Sequence, residues 1–166
     1  MALVTIPNTE AHLLKSTHAG REYRISIALP ESYAADPQKR YPVLYGVDAN
    51  LGFGLYVNTV RLLAMAYEVP ELIIVGIDNP VDTLAASTSL RNRDLTPPLD
   101  EQAEQKVKQA FGEDEIGGAD GYLEFIREEL QPFVAEHFRT VPGDRAYFGD
   151  SLGGLFGYYA LLHKPD

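Results

Sequence analysis

Two short, continuous runs of apolar residues constrain the fold of this 166-residue chain more than any other feature. They are VLYGV at residues 43–47 and LIIVGI at residues 72–77. Such runs are typical of strands that are buried on both faces of a parallel sheet. Tyr147 and Phe148, which follow Arg145, indicate a third strand of this kind.

Helical patterns lie between these runs, at residues 55–67 and 122–138. In the second segment the apolar residues recur close to the helical period of 3.6, with Asp120 as the expected N-cap and Pro132 expected to kink the helix or start a new turn. Strands that alternate with helices indicate the α/β class, with helices covering the sheet.

The N-terminal part of the chain predicts an antiparallel hairpin at the outside of this sheet. Residues 22–29 alternate between apolar and polar side chains, as a half-buried strand requires, and residues 11–16 are the expected partner. The predicted fold is therefore a mostly parallel sheet with an N-terminal hairpin. Residues 78–120 are too long for an ordinary connection and are expected to wall a binding site, with a short polar helix at 101–111.

Composition excludes several classes of protein. The formal net charge of −10 disfavours nucleic acids and anionic membrane surfaces as partners, and the absence of cysteine excludes disulfides and thiolate catalysis. No run of 18 apolar residues and no signal peptide is present. We therefore expect one domain over residues 1–166, in the cytoplasm, or in the periplasm or outside the cell if a signal peptide was removed.

The motif Gly149-Asp150-Ser151-Leu152-Gly153 carries the strongest chemical signal. It has the pattern G-x-S-x-G and lies between an expected strand and an expected helix. Flanking glycines allow a sharp turn that exposes the serine hydroxyl, so Ser151 is the predicted nucleophile. The alternative interpretation is a glycine-rich turn without catalytic function.

An oxyanion-binding site is predicted beside this serine. The amide of Leu152 follows the nucleophile at the start of a helix, where backbone donors and the helix dipole favour negative charge. A second amide is expected from the turn that follows residues 43–47, from Ala49 or Asn50. The alternative is that residues 48–52 form an ordinary turn.

A serine nucleophile needs a base, and the chain offers no suitable histidine. His163 lies twelve residues along the expected helix, about 18 Å from Ser151, and it precedes Asp166, the reverse of the usual order. His12, His18 and His137 precede the serine, so a triad that uses one of them would need a different chain order, as convergent triads elsewhere have; this is the alternative. We expect instead that the acid and the histidine come from segments that this sequence does not contain.

Arg91 and Arg93 lie in the long excursion, next to Asp94. Arginine binds oxyanions in bidentate fashion, so these residues, with Asp48, are candidates for contacts to an ester substrate. The alternative is that they pair with carboxylates of the protein. No metal site and no cofactor are expected, because the four histidines are scattered and no complete nucleotide-binding glycine motif occurs.

A series of motifs resembles the putative esterase family of α/β-hydrolases, which includes esterase D, siderophore (enterobactin) esterases, feruloyl esterases and mycolyltransferases. The motifs are REYR at residues 21–24, YPVLY at 41–45, Asp48, RNRDLTP at 91–97, GGA at 117–119 and GDSLGG at 149–154. The siderophore-esterase branch shows the closest resemblance. At residues 48–50 the chain has Asp-Ala-Asn where relatives have Asp-Gly.

The resemblance implies the N-terminal portion of an α/β-hydrolase, truncated after the nucleophile helix, with Ser151 as nucleophile and Leu152 and Asn50 as oxyanion donors. The implied reaction is hydrolysis of a small-molecule carboxylic ester through an acyl-Ser151 intermediate; the alternatives are acyl transfer and a noncatalytic binding or remnant domain. The 166 residues alone are expected to be inactive. The strand that ends at Gly149 would be left as an exposed edge, which predicts aggregation, a homodimer, or a longer polypeptide.

Overall fold

Five strands form a mixed sheet in the computed structural model, which describes residues 4–81, 83–112 and 116–164. The strand order across the sheet is β1-β2-β4-β3-β5. The strands are β1 (Thr9–Lys15), β2 (Glu22–Ala28), β3 (Tyr41–Gly46), β4 (Ile73–Asp78) and β5 (Thr140–Phe148).

The pairing pattern confirms the predicted mostly parallel sheet with an N-terminal antiparallel hairpin. β3 pairs in parallel with both β4 and β5. β2 pairs antiparallel with β1 on one side and with β4 on the other. Among the described strands, β2 therefore runs in one direction and the other four run in the opposite direction.

Helices cover both faces of this sheet. They are α1 (Ala49–Met65), α2 (Leu84–Leu95), α3 (Glu101–Phe111), α4 (Ala119–Glu124), α5 (Gln131–His137) and α6 (Leu152–His163). A 3₁₀ helix spans Glu31–Tyr33, and a π-helical stretch, Phe125–Leu130, joins α4 to α5. Pro132 follows the junction of the π-helical stretch and α5, where Leu130 and Gln131 keep right-handed helical backbone angles; the kink or new turn expected at this proline stays a prediction.

The alternation of the strand residues determines which face each helix covers. Tyr23, Ile25 and Ile27 are fully buried and belong to the larger core, together with residues of β3, β4, α4, α5 and α6. On the opposite face Ile74 of β4 packs with Val57 of α1 in a smaller cluster. Burial on both faces explains why the β4 sequence contains no alternating polar residues.

The starts of two helices differ from the sequence-based expectation. α1 begins at Ala49 and not at residue 55. Gly52 lies in the first turns of α1, and the ring of Tyr56 occupies the space beside it. Because glycine disfavours helix, this residue interrupts the helical pattern in the sequence. The N-cap of α4 is Gly118 and not Asp120. Asp120 lies in the first turn, where its carboxylate accepts a hydrogen bond from Tyr159 Oη.

The long excursion contains two helices, of which the sequence predicts only one. α3 has the expected bounds. α2 was not expected, because the face that it turns toward the sheet is polar: Ser87 and Asp94 are buried there beside Leu95. A helix whose inner face is hydrophilic has no apolar stripe to reveal it.

β5 is an edge strand, since it pairs with β3 and with no other described strand. Most of its residues are exposed, including Phe148, which retains 47% of its accessible surface. The sequence predicts this exposed edge. Within the described ranges, no helix combines the length and the apolar character that a membrane span requires.

Candidate active site

Ser151 occupies a sharp turn between β5, which ends at Phe148, and α6, which begins at Leu152. Its backbone has φ 55° and ψ −118°, a conformation that residues other than glycine rarely adopt. The residue is exposed. This is the strand, strained turn and helix that the G-x-S-x-G pattern predicts for a nucleophile elbow.

Two glycines of the motif are required by close packing. A Cβ atom at Gly149 would lie 2.6 Å from the carbonyl carbon of Gly153, and a Cβ atom at Gly153 would lie 2.8 Å from Val47 Cγ2. Tyr147 Oη donates a hydrogen bond of 2.8 Å to the Gly153 carbonyl. Because both glycines lack a side chain, the turn can pack against Val47, and residue 149 can lie this close to residue 153.

A second turn with unusual backbone geometry follows β3. Asp48 has φ 59° in the left-handed region, which aspartate tolerates better than most residues. Its carbonyl accepts hydrogen bonds from the amides of Leu51 and Gly52, at 3.1 and 2.9 Å. Ala49 and Asn50 are the first two residues of α1, and the first amides of a helix have no acceptor within the helix.

The two turns lie side by side at the carboxyl edge of the sheet. β3 and β5 are parallel neighbours, and the amide of Val47 donates to the carbonyl of Phe148 at 3.3 Å. The N-termini of α1 and α6 therefore meet at this edge, and both carry the partial positive charge of a helix start. This is where the sequence predicts the oxyanion donors Leu152 and Asn50; their role in catalysis stays a prediction.

Arg91, in α2, contacts both turns. Its Nε donates to Asp48 Oδ1 at 2.6 Å and its Nη2 to Asp48 Oδ2 at 3.0 Å, a bidentate pair. Nη2 also lies 3.4 Å from the carbonyl oxygen of Asp150, in the serine turn. The side chains of Arg91 and Asp48 retain 24% and 20% of their accessible surface, so the pair is largely shielded from water.

Arg93 points toward a buried carboxylate instead. Its Nη1 is 3.6 Å from Asp94 Oδ1, and its Nη2 donates to the carbonyl of Ala19 at 3.3 Å. Tyr23 Oη donates to Asp94 Oδ2 at 3.0 Å, and burial together with this carboxylate raises the pKa of Tyr23 well above its usual value. Both arginines thus contact groups of the protein; the substrate contacts predicted for Arg91, Arg93 and Asp48 stay a prediction.

A small polar cavity lies beneath α2, next to the Asp48 turn. Asp48, Asn50, Asn79, Ser87 and Arg91 are among its lining residues, and its volume of about 20 Å³ has room for about one water molecule. Asn50 Nδ2 donates to Ser87 Oγ. A space of this size is too small for an ester group.

Two polar residues at the end of β4, Asp78 and Asn79, are not among the residues that the sequence predicts for the site. Asp78 accepts a hydrogen bond of 2.6 Å from Arg24 Nη2, and burial raises the pKa of this carboxyl despite that partner. Asn79 follows it, buried in the wall of the cavity. Their position directly after a buried parallel strand could have indicated a place in the site, because the carboxyl ends of such strands meet at one edge of the sheet.

No histidine in the described part of the chain contacts Ser151. His163 lies in the last turn of α6, with Nδ1 2.9 Å from the Tyr159 carbonyl. His12 is on β1, at the far edge of the sheet, and pairs with Glu10 at 2.8 Å. His137 lies at the end of α5 and His18 in the exposed loop after β1. Asp166 lies outside the described residues.

A family model described as "Putative esterase" matches residues 16–166. The chain belongs to this family. The resemblance that the sequence motifs indicate is thereby confirmed, and the mixed sheet with flanking helices is the α/β-hydrolase arrangement that it implies.

Similar proteins of this family include siderophore esterases. The chain is 36% identical over 165 residues to the ferri-bacillibactin esterase BesA of Bacillus subtilis, covering 98% of this chain and 56% of that protein. It is 31% identical over 167 residues to the siderophore triacetylfusarinine C esterase of Aspergillus fumigatus, covering 98% and 53%. The crystal structure of the BES protein from Bacillus cereus superimposes with a TM-score of 0.83 at 31% identity, covering 99% of this chain and 62% of that one. The chain thus spans about half the length of the curated relatives that it matches.

Proposed function

We propose that this chain carries the nucleophile and the oxyanion-binding half of a serine hydrolase that cleaves carboxylic esters. One observation carries the proposal: Ser151 is exposed in a strained turn between a strand and a helix, with glycines where no Cβ atom fits. A protein retains a strained backbone only where the surrounding structure enforces it, and such residues cluster at active sites.

The proposed reaction proceeds in two steps. Ser151 Oγ forms a bond to the acyl carbon of the ester while its proton passes to a base; the bond to the alcohol oxygen then breaks, and the alcohol takes that proton. Water, deprotonated by the same base, attacks the acyl-Ser151 ester and releases the acid and the serine hydroxyl. The amides of Leu152 and Asn50 donate to the oxyanion in both steps.

The base and its acidic partner come, in this proposal, from a part of the polypeptide outside residues 1–166. Three observations support it: the described histidines lie away from Ser151, the chain spans 56% of BesA, and β5 has a free edge. Apolar side chains of α6 lie exposed near that edge, namely Leu155, Tyr158, Leu161 and Leu162. The 166 residues alone would then bind without turnover and would associate through β5.

The proposed substrates are small-molecule esters of the siderophore type. BesA is named a ferri-bacillibactin esterase and the Aspergillus fumigatus relative a siderophore triacetylfusarinine C esterase. Identities of 36% and 31% over nearly the whole chain support a shared substrate class. The open side of the Ser151 turn, beyond the small polar cavity, is where such a bulky ester would bind.

Hydrolysis of a siderophore ester by the natural polypeptide that contains these residues tests the proposal. We expect turnover that falls by at least about 10³-fold in Ser151→Ala, because removal of the nucleophile leaves only the oxyanion site and binding. Ser89→Ala, at an exposed serine of α2, is the matched control and should retain full activity. Turnover that survives in Ser151→Ala would overturn the proposal.

A further inference from the structure

Helix α2 presents a row of polar side chains to the carboxyl edge of the sheet. Ser87, Arg91 and Asp94 follow one another at helical spacing along its inner face. Their partners are Asn50, Asp48 and Tyr23, respectively, which belong to three different parts of the edge. Hydrogen bonds and charge therefore join α2 to the sheet edge, beside the apolar packing of Leu95 in the larger core.

Arg91 is the member of this row that bridges two elements. It holds the carboxylate of Asp48 through two nitrogens, at 2.6 and 3.0 Å, and its Nη2 also lies 3.4 Å from the Asp150 carbonyl. Asp48 immediately precedes α1, and Asp150 lies two residues before α6. One rigid guanidinium thus links the turns that carry the amides of Asn50 and Leu152.

The chemistry of the contact suits a positioning role. A guanidinium is planar and permanently charged, so a bidentate pair fixes both the distance and the orientation of the carboxylate. The pair is largely shielded from water, which weakens screening of its attraction. Asp48 and Ser151 both have positive φ, at 59° and 55°, so the linked turns adopt conformations that need support from neighbouring groups.

We infer that Arg91 is a positioning residue, which through Asp48 and Asp150 fixes the relative placement of the two oxyanion donors. The inference rests on the proposed function. It differs from substrate binding by Arg91, because the guanidinium acts on the protein turns and not on the ester. Displacement of a catalytic group by about 1 Å can lower a rate by about 10²-fold, so loss of the link should lower kcat and leave KM nearly unchanged.

Ester hydrolysis by variants of the natural polypeptide tests this inference. Arg91→Gln should lower kcat about 10- to 100-fold with KM within about twofold. Arg91→Lys should recover part of kcat, since an ammonium keeps the charge but not the fork. Asp48→Asn, which still tolerates the left-handed backbone, should lower kcat similarly, and the double variant Asp48→Asn/Arg91→Gln should be no worse than the poorer single variant.

Controls separate positioning from folding and from substrate binding. Arg61→Gln removes an arginine at the far end of α1, where Nη2 donates to the Pro7 carbonyl at 2.6 Å, and should leave kcat unchanged. Each kcat is divided by the folded fraction of the protein, measured by circular dichroism, so that unfolded molecules do not count. If Arg91→Gln does not fold, Arg91→Lys and Asp48→Asn carry the same test.

Specific outcomes would overturn the inference. The inference is overturned if kcat of Arg91→Gln stays within about twofold of the original, or if KM rises while kcat is unchanged. The proposed function survives either result as long as turnover still depends on Ser151. Strictly additive losses in the double variant would show that the pair does not act as a unit. Turnover that persists in Ser151→Ala overturns the proposed function itself, and this inference with it.

Discussion

Ser151 and the glycines around it show how single residues determine the geometry of the candidate site. Ser151 has φ 55°, a backbone conformation that a Cβ atom disfavours. At Gly149 and Gly153 the surrounding atoms leave no space for a Cβ atom. Gly154, the next residue, is different: a Cβ atom there would meet only the Gly149 carbonyl, at an ordinary 3.5 Å. The motif therefore contains one glycine that close packing does not require.

This difference predicts opposite effects at two adjacent residues of α6. Gly153→Ala should lower the free energy of unfolding by about 1 to 3 kcal/mol, because the methyl group collides with Val47. Gly154→Ala should raise it by up to about 1 kcal/mol, since alanine favours helix more than glycine does. Urea denaturation of both variants measures the difference. Equal effects of the two substitutions would contradict the packing described for the turn.

At the residue scale, spacing and residue type predicted where chemistry is concentrated but not which contacts form. The G-x-S-x-G pattern predicted the turn at Ser151 because its geometry depends on local sequence. Sequence offered two alternatives for Arg91, and only the fold determines that Asp48, 43 residues earlier, faces it. The expectation that Asp120 is an N-cap is wrong, because its carboxylate accepts a hydrogen bond from Tyr159, which lies 39 residues later on another helix and cannot be inferred from the local sequence.

At the scale of elements, prediction succeeded where burial follows a repeating pattern. β2 and β4 can be predicted because their side chains follow their burial. β2 alternates between apolar and polar residues and is buried mainly on one face, whereas β4 is apolar throughout and buried on both faces. α3 was predicted as a polar surface helix. α2 differs from the prediction because its inner face carries Ser87, Arg91 and Asp94 beside Leu95, and the partners of these polar residues come from distant segments.

The exposed edge of β5 gives a prediction at this scale. Unpaired N–H and C=O groups along an edge strand bind other strands, and Phe148 adds apolar surface. We expect the isolated 166-residue chain to form dimers or larger assemblies whose fraction rises with concentration. Sedimentation velocity at several concentrations measures this. Replacing Arg145, an exposed residue of β5 whose N–H faces away from β3, by proline should reduce association because it removes a free strand donor.

A monomer at every concentration would contradict the expected pairing. Gly143→Pro is unsuitable as a matched control because Gly143 has φ 77°, which proline cannot adopt. Glu101→Pro, at the first residue of α3, places proline where a helix tolerates it and far from β5 in sequence. That control variant should associate like the original chain.

At the scale of the whole molecule, buried tyrosines make the free energy of unfolding depend on pH. Burial raises the pKa of Tyr23, Tyr45 and Tyr122 above the usual value of about 10. In the folded state these phenols keep their protons at a pH where the unfolded chain releases them. Their contribution to stability is therefore complete below about pH 10 and is lost as the pH rises further.

We accordingly predict that the free energy of unfolding falls steeply above about pH 10. Each tyrosine that ionises only in the unfolded chain contributes about 1.4 kcal/mol per pH unit to that slope. Tyr45→Phe should make the slope shallower by about this amount, because it removes one such phenol from the core. Urea denaturation at several alkaline pH values provides the measurement. A slope unaffected by Tyr45→Phe would contradict the assignment.

In the proposed function, Ser151 is the nucleophile of an esterase whose base lies outside residues 1–166. The intact mass of the natural polypeptide before and after reaction with a fluorophosphonate, followed by peptide mapping, tests this assignment. We predict a polypeptide heavier than 18.4 kDa that gains one adduct, on the peptide containing Ser151, and no adduct in Ser151→Ala. An adduct on another residue, or none on the natural polypeptide, would contradict the claim.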